Sequence, residues 1–286
     1  MLSIIGLVVV IGAVLGGFTL AGGNLLALFH LSEIIVICGT ALGTVLVSTP
    51  SSTLKSMVSK LAALAKPSPF TQALYLEGLK LIYEVFQIAR RDGLVAIESH
   101  IEAPAKSEIF RRYGAVLAQH HAVVFFCDSL RLVLLGSVPP YDLEALMDAD
   151  IEVHHEEEAK AVTALNRVAD SLPGIGIVAA VLGIVVTMAS IAGPVQEIGE
   201  NVAAALTGTF LGVLLAYGFA GPLASAIEAR NQAEARFHLF IKAAVVAFAK
   251  GLPPMVATEF ARRAIAAELR PSFEAMETAC KSVKAR

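Results

Sequence analysis

No lysine or arginine precedes Lys55, and none falls between Arg167 and Arg230. All 22 basic residues therefore sit in two segments, 55–167 and 230–286. A soluble fold scatters cations over its surface, whereas a membrane protein collects them in its cytoplasmic flanks. The cation-free blocks also hold long apolar runs. A helix needs about 20 predominantly apolar residues to cross the hydrocarbon core. Four stretches approach that length: Leu2 to Leu20, Glu33 to Thr49 (stopped by Pro50), Pro173 to Ile191, and Val202 to Ala224. The last two contain no charged residue. The chain is 56% hydrophobic and 16% charged, where soluble domains run at roughly half and a quarter. The expected class is an all-α, polytopic membrane protein with four transmembrane helices and a helical cytoplasmic domain.

Four spans with both termini inside place both basic segments in the cytoplasm. The 21–32 and 192–201 connections then face the periplasm. Ala192 to Asn201 carries only Glu197 and Glu200 as charges, as a translocated loop should. A cleavable signal peptide does not fit residues 1–20: it needs a basic leading region and a shorter apolar run, and here another span follows at once. The expected layout is transmembrane helices 1 and 2 in residues 1–50 and a cytoplasmic helical domain in 51–170. Transmembrane helices 3 and 4 fill 171–226, and a cytoplasmic helical tail fills 227–286.

Between the spans the pattern is helical. Tyr75, Leu79, Ile82, Phe86 and Ala89 recur at mixed i+4 and i+3 steps, predicting a helix from Thr71 to Arg91 that Asp92-Gly93 ends. Ser99 to Pro104 reads as a polar break, and Glu108 to Leu135 as one or two helices. Pro139-Pro140 interrupts the chain before an acidic helix from Tyr141 to Val168. The tail predicts a helix from Ile227 to Ala249, a break at Gly251 to Pro254, and another helix from Ala257 to Leu269 before Pro271. These helices look too few to build a large independent core. Small residues recur four apart at Gly12 and Gly16, Gly39 and Gly43, and Gly208 and Gly212, with Ala179 and Gly183 as a looser pair. Such spacing lets backbones approach closely in lipid, either within one subunit or between subunits.

The third and fourth spans lack charge yet carry Thr187, Ser190, Thr207 and Thr209. Proton or ion translocation ordinarily uses an intramembrane carboxylate. Either the chain moves no ions or a partner helix supplies the acid. Glu33 sits at the edge of its span and reads as an interfacial residue. Pro173 is either a helix starter or a hinge, and Pro222, inside an apolar run, predicts a kink. His154-His155-Glu156-Glu157-Glu158 invites a metal reading, but adjacent histidines point in different directions on a helix. His120-His121 fails for the same reason. No nucleophile elbow, P-loop or dinucleotide fingerprint is present, so neither an enzyme nor a cofactor is expected. Cys38, Cys127 and Cys280 suggest no disulfide, and a net charge of −3 suggests no nucleic acid. Arg90, Arg91, Glu98, Arg111, Arg112, Asp128, Arg131, Asp148 and Asp150 are scattered charges of both signs, suited to a solvated surface or to a complementary partner.

The order and spacing of several motifs resemble the MotA/PomA family of bacterial flagellar stator A subunits. They are Val8-Val-Val-Ile-Gly12-Ala-Val-Leu-Gly-Gly17, Ala21-Gly-Gly23, Glu33, Glu102, Pro104, Ser107-Glu-Ile-Phe110 and Glu144-Ala-Leu-Met-Asp148. Asp170-Ser-Leu-Pro-Gly174-Ile-Gly176-Ile-Val-Ala-Ala180, Gly208-Thr-Phe-Leu-Gly212, Leu215-Ala-Tyr-Gly218, Pro222 and Arg270-Pro-Ser-Phe273 follow. The resemblance implies an inner-membrane homo-oligomeric ring around a MotB-type B subunit that carries the ion-accepting aspartate. It implies a rotor contact with FliG through Arg90, Glu98, Asp128 and Asp150, with Arg91 adding a second positive charge beside Arg90. It implies coupling prolines at Pro173 and Pro222 and a pathway threonine at Thr209. Ala180 stands where sodium-type members carry a further threonine, so the pattern resembles the proton type. Two other readings stand beside it: an ExbB/TolQ-like energiser of outer-membrane transport, usually with three spans, and a membrane scaffold without ion coupling.

Overall fold

The computed structural model describes residues 2–189 and 191–283; Ser190, one of the hydroxyls expected in the third span, lies outside the described residues. Helices succeed one another with no strand among the described residues. They are α1 (Leu2–Leu20), α2 (Leu31–Ser48), α3 (Ser51–Ala63), α4 (Gln72–Asp92), α5 (Glu98–Glu102), α6 (Glu108–Arg111) and α7 (Gly114–Leu117). There follow α8 (His120–Leu135), α9 (Pro140–Ala189), α10 (Val195–Leu214), α11 (Gly221–Ala249), α12 (Pro254–Ala264) and α13 (Phe273–Lys281). Four helical stretches are long and apolar enough to cross a membrane: Ser3–Leu20, Leu25–Ser48, and parts of Pro140–Ala189 and Val195–Ala249.

The helices that carry the third and fourth spans are longer and less interrupted than the sequence pattern predicts. The acidic helix and the third span are one 50-residue helix, α9, with Pro173 in its interior. Proline removes one backbone hydrogen bond and crowds the carbonyl four residues back, here that of Ala169, yet the flanking turns continue. At 1.5 Å per residue α9 is about 75 Å long, more than twice the hydrocarbon thickness of about 30 Å, so part of it must project beyond the bilayer. The fourth span and the tail helix also join. Between α10 and α11 the backbone passes through a π-helical segment, Leu215–Ala220. Pro222 crowds the carbonyl of Gly218, inside that segment, and a π-turn is one way a helix absorbs such a conflict.

Two compact units emerge: Met1–Pro67 with Glu157–Ala229, and Ser68–Glu156 with Arg230–Arg286. In the first, Ile37, Ala41 and Val45 of α2 join Ala169, Leu172, Ile175 and Ala179 of α9 and Ala216, Ala220 and Ala224 near the π-helical segment. Its outward faces are apolar: Val8, Val9, Leu42, Leu46, Val47, Val181 and Val185 are exposed. Such a surface suits lipid or neighbouring helices rather than water. The ammonium of Lys60 on α3 pairs with the carboxylate of Glu158 on α9.

The second unit contradicts the expectation of too few helices for a core. Leu79, Val85, Phe86, Ile97, Ile101, Phe110 and Leu130 are fully buried together with Phe237, Phe240, Ala244, Val245 and Met276. Two segments far apart in the chain pool their apolar faces, which neither could cover alone. Phe86 and Phe248 stack with ring centroids 4.2 Å apart, and Tyr75 lies 5.3 Å from both Phe237 and Phe240. α4 carries the predicted stripe and is capped by the Thr71 hydroxyl, which accepts from the Leu74 N–H. It ends at Gly93, whose φ of +94° favours a residue without a β-carbon. Residues Ser99 to Pro104, expected as a polar break, instead include the short helix α5, because Ile101 inserts into the core. Glu108 to Leu135 divides into three helices rather than one or two.

Candidate functional site

In the first unit, α9 and α10 cross with almost no space between backbones. A β-carbon on Gly176 would lie 2.9 Å from the Gly208 carbonyl oxygen, and one on Gly212 would lie 2.6 Å from that of Leu172. One on Gly183 would meet the Ala205 β-carbon at 2.9 Å. Close backbone approach of this kind maximises dispersion contact where no hydrophobic drive exists. The pairs Gly208/Gly212 and Ala179/Gly183 are thus packing seams within the chain. Gly12, Gly16, Gly39 and Gly43 meet nothing within 4 Å and remain open for other contacts.

Along this crossing lie the predicted pathway residues. Pro173 and Ala180 are half-buried on α9, Thr209 is half-buried on α10, and Pro222 is exposed at the start of α11. Thr187 donates to the Gly183 carbonyl at 2.8 Å and Thr207 to the Ala203 carbonyl at 2.9 Å. Both hydroxyl protons return to their own helix. Thr209 makes no side-chain hydrogen bond among the described residues, so its hydroxyl is available. Glu33, read from the sequence as an interfacial residue, sits in the first turn of α2 and is buried, its γ-carbon 3.3 Å from a β-carbon placed on Gly208. A carboxylate in a helix's first turn is favoured by the backbone N–H groups there.

In the second unit the four predicted partner-facing charges, Arg90, Glu98, Asp128 and Asp150, are all exposed. Arg91 is drawn onto Asp92, with its Nη2 2.7 Å from Oδ2; that contact holds the Asp92 carboxyl below its ordinary value. Arg90 and Glu98 make no ion pair among the described residues, so the extra cation beside Arg90 is locally neutralised and Arg90 is not. Arg131 bridges Asp128 on its own helix and Glu102 on α5, the latter at 2.7 Å. Asp128 and Asp150 line one depression of about 370 Å³, while Arg90 lines another with Gly136, Pro139 and Pro140. Asp148 and Glu144, set one turn apart on α9, hold Lys242 of α11 at 2.6 Å and Lys250, just past the end of α11, at 2.9 Å.

Two polar groupings escaped the sequence reading. Glu84 is only 1% exposed, and it accepts from the Tyr113 hydroxyl at 2.7 Å and pairs with Arg112 at 2.5 Å. Burial and Glu84 together push the Tyr113 hydroxyl well above its ordinary value. A hint was present: Glu84 follows Leu81 by three residues and precedes Ile88 by four, so it falls on an apolar stripe. The other grouping brings His121 of α8, His154 of α9 and Glu234 of α11 together, their ligand-type atoms within 4.8 Å of one another. His238 stands beside them, its ring 5.0 Å from that of His154. Burial opposes the charge on Glu234, yet the hydrogen bond from His154 and the surrounding imidazoles hold its carboxyl below the usual range. The histidine runs do not act as adjacent pairs; one member of each is selected by its helix face.

Residues 4–93 match the family described as Motility protein A N-terminal, and residues 118–237 match the MotA/TolQ/ExbB proton channel family. The chain is 37% identical to Motility protein A of Escherichia coli (strain K12) over 284 residues, covering 99% of this chain and 96% of that protein. It is 35% identical to Chemotaxis protein LafT of Vibrio parahaemolyticus, covering 97% of each. A chain in the structure of C. jejuni MotAB superposes with a TM-score of 0.77 at 22% identity, covering 94% of this chain and 98% of that one.

Proposed function

The chain belongs to the motility protein A family, and from that premise we propose how its residues divide the work of a flagellar stator. It is an inner-membrane stator subunit that couples proton flow to torque; the matched families are motility and proton-channel families rather than enzyme families. The observation that carries the coupling reading is the α9–α10 crossing. Its two helices approach backbone to backbone between Gly176 and Gly212, carry no charge from Pro173 to Ile191 or Val202 to Ala224, and leave the Thr209 hydroxyl available.

Such a crossing can line a path but holds no group of its own to accept the ion. A B-type partner helix carrying an aspartate supplies it, and the naming of the C. jejuni relative as MotAB supports that partner and an oligomeric ring. Residues 1–50 and 171–226 lie in the bilayer, with 51–170, 227–286 and both termini in the cytoplasm. Pro173 and Pro222, each removing one backbone hydrogen bond, are the points where α9 and the π-helical segment bend when the partner's carboxylate is protonated. Moving one charge through 100 mV supplies about 2.3 kcal/mol, enough to shift a two-state helix packing by more than tenfold. Arg90, Glu98, Asp128 and Asp150 then push on FliG.

Ala180 presents a methyl where a dehydrating Na⁺ would need oxygen, and a proton needs only the partner carboxylate and water. Swimming of a deletion strain complemented with this chain and its B partner is expected to continue without sodium and to stop with a protonophore. Speed that vanishes without sodium and survives the protonophore sinks the proton assignment. Absence of ion flux on co-expression with the B partner would instead favour a scaffold.

A further inference from the structure

We infer that His121, His154 and Glu234 form a binding site for a divalent transition-metal ion of the Zn²⁺ class, tying α8, α9 and α11 together. The His154 Nε2 lies 3.4 Å from Glu234 Oε1, and the His121 Nδ1 lies 3.8 Å from the same oxygen. At Zn–N and Zn–O distances of about 2.0–2.1 Å, two tetrahedral ligand atoms stand about 3.3 Å apart. The His154–Glu234 pair already has that separation, the His121–Glu234 pair needs a few tenths of an ångström, and the two imidazoles, whose ligand atoms lie within 4.8 Å of one another, close on the ion by rotation of the exposed His121 ring. Two imidazoles with one carboxylate are the donor set that suits Zn²⁺ over Mg²⁺ or Ca²⁺, which take oxygen ligands.

Three protein ligands leave one position open, and the surroundings can fill it with water. His121, His154, His238, Asp128 and Asp150 line the same depression of about 370 Å³. The His121 side chain is 59% exposed, so the ion has an entry path, while His154 and Glu234 are 22% and 28% exposed. His238 Nδ1 lies 3.0 Å from the Glu234 backbone carbonyl. That contact fixes the ring one helical turn from the Glu234 ligand, where it supports the cluster from behind. The three ligands come from three separate helices, α8, α9 and α11, so the ion adds a direct tie between elements that the apolar core alone leaves to side-chain packing.

The test uses the full-length chain, purified in detergent, stripped with a chelator and titrated with ZnCl₂ by calorimetry. One Zn²⁺ per chain is expected, and Co²⁺ substituted for it should give the visible absorption of a tetrahedral site. His121→Ala and Glu234→Gln should each weaken Zn²⁺ binding at least tenfold. His120→Ala and His155→Ala, neighbours in sequence that the cluster does not use, should bind as the parent does. Helix content by circular dichroism verifies that each variant folds, and the exposure of His121 makes His121→Ala the safest of them. No stoichiometric binding by the parent overturns the assignment. So does equal loss in His120→Ala and His121→Ala, or binding unaffected by His121→Ala and Glu234→Gln.

Discussion

Gly176 and Gly212 face one another so closely that a β-carbon on Gly212 would stand 2.8 Å from the Gly176 α-carbon. Backbone atoms, not flexible side chains, fill the space, so nothing nearby can step aside. Gly212→Ala is expected to cost about 1–3 kcal/mol through overpacking. Gly43→Ala, whose added methyl meets nothing within 4 Å in the chain, should leave the isolated subunit's melting temperature unchanged. Thermal melts of the two detergent-purified variants make the comparison. Equal melting of Gly212→Ala and the parent removes the seam from the account of the fold.

The buried thiols predict a loss of stability in alkali. Burial pushes both Cys127 and Cys280 up from 9.0 to about 12. A raised value means that the folded state prefers the neutral thiol. Its contribution is complete below pH 9 and is lost as the pH climbs toward 12, by about 1.4 kcal/mol per pH unit for each thiol. Denaturant unfolding at about pH 8 and about pH 10 should show that slope, and Cys127→Ala/Cys280→Ala should flatten it. A thiol reagent should label neither residue until the unit unfolds.

The membrane arrangement is checked by accessibility. A cysteine placed at Gly193 should be labelled by an impermeant reagent from the periplasm, and one placed at Ser99 should not. Both residues are exposed in the folded chain, so burial cannot mimic protection by the membrane. The opposite labelling pattern overturns the four-span orientation.

Arg90 and Glu98 are exposed without an ion-pair partner among the described residues, whereas Arg91 is held by Asp92. Arg90→Glu and Glu98→Lys should therefore impair swimming at unchanged membrane level and unchanged B-subunit binding. Arg91→Glu should matter less, because its charge is already neutralised. A solvent-exposed ion pair of that kind contributes little to stability, so none of the three should unfold the chain. Normal swimming by both single variants and by their double variant would remove these residues from the rotor contact.

The helix of α4 was readable residue by residue, because Tyr75, Leu79, Ile82, Phe86 and Ala89 repeat at the helical period and all are buried. The continuity of α9 through Pro173 was not. Proline's local cost is visible in a sequence, but the packing on both flanks that outweighs it is not. Likewise His154-His155 and His120-His121 look inert as neighbours; only the folded helices show that His121 and His154 face Glu234, three residues separated along the chain by 33 and then 80 positions.

The sequence by itself determined that the chain is helical and membrane-spanning, since charge exclusion and apolar length act within each segment and need no partner to be read. It also determined which spans lack an ion-accepting group. Only the tertiary structure decided which glycines pack inside the chain and which stay open. It alone set Glu84 against Tyr113 and Glu33 against Gly208, and it alone joined His121, His154 and Glu234. Each of these depends on residues far apart in the chain meeting within a few ångströms. That meeting is set by how helix faces pack against one another, not by any property a residue carries alone.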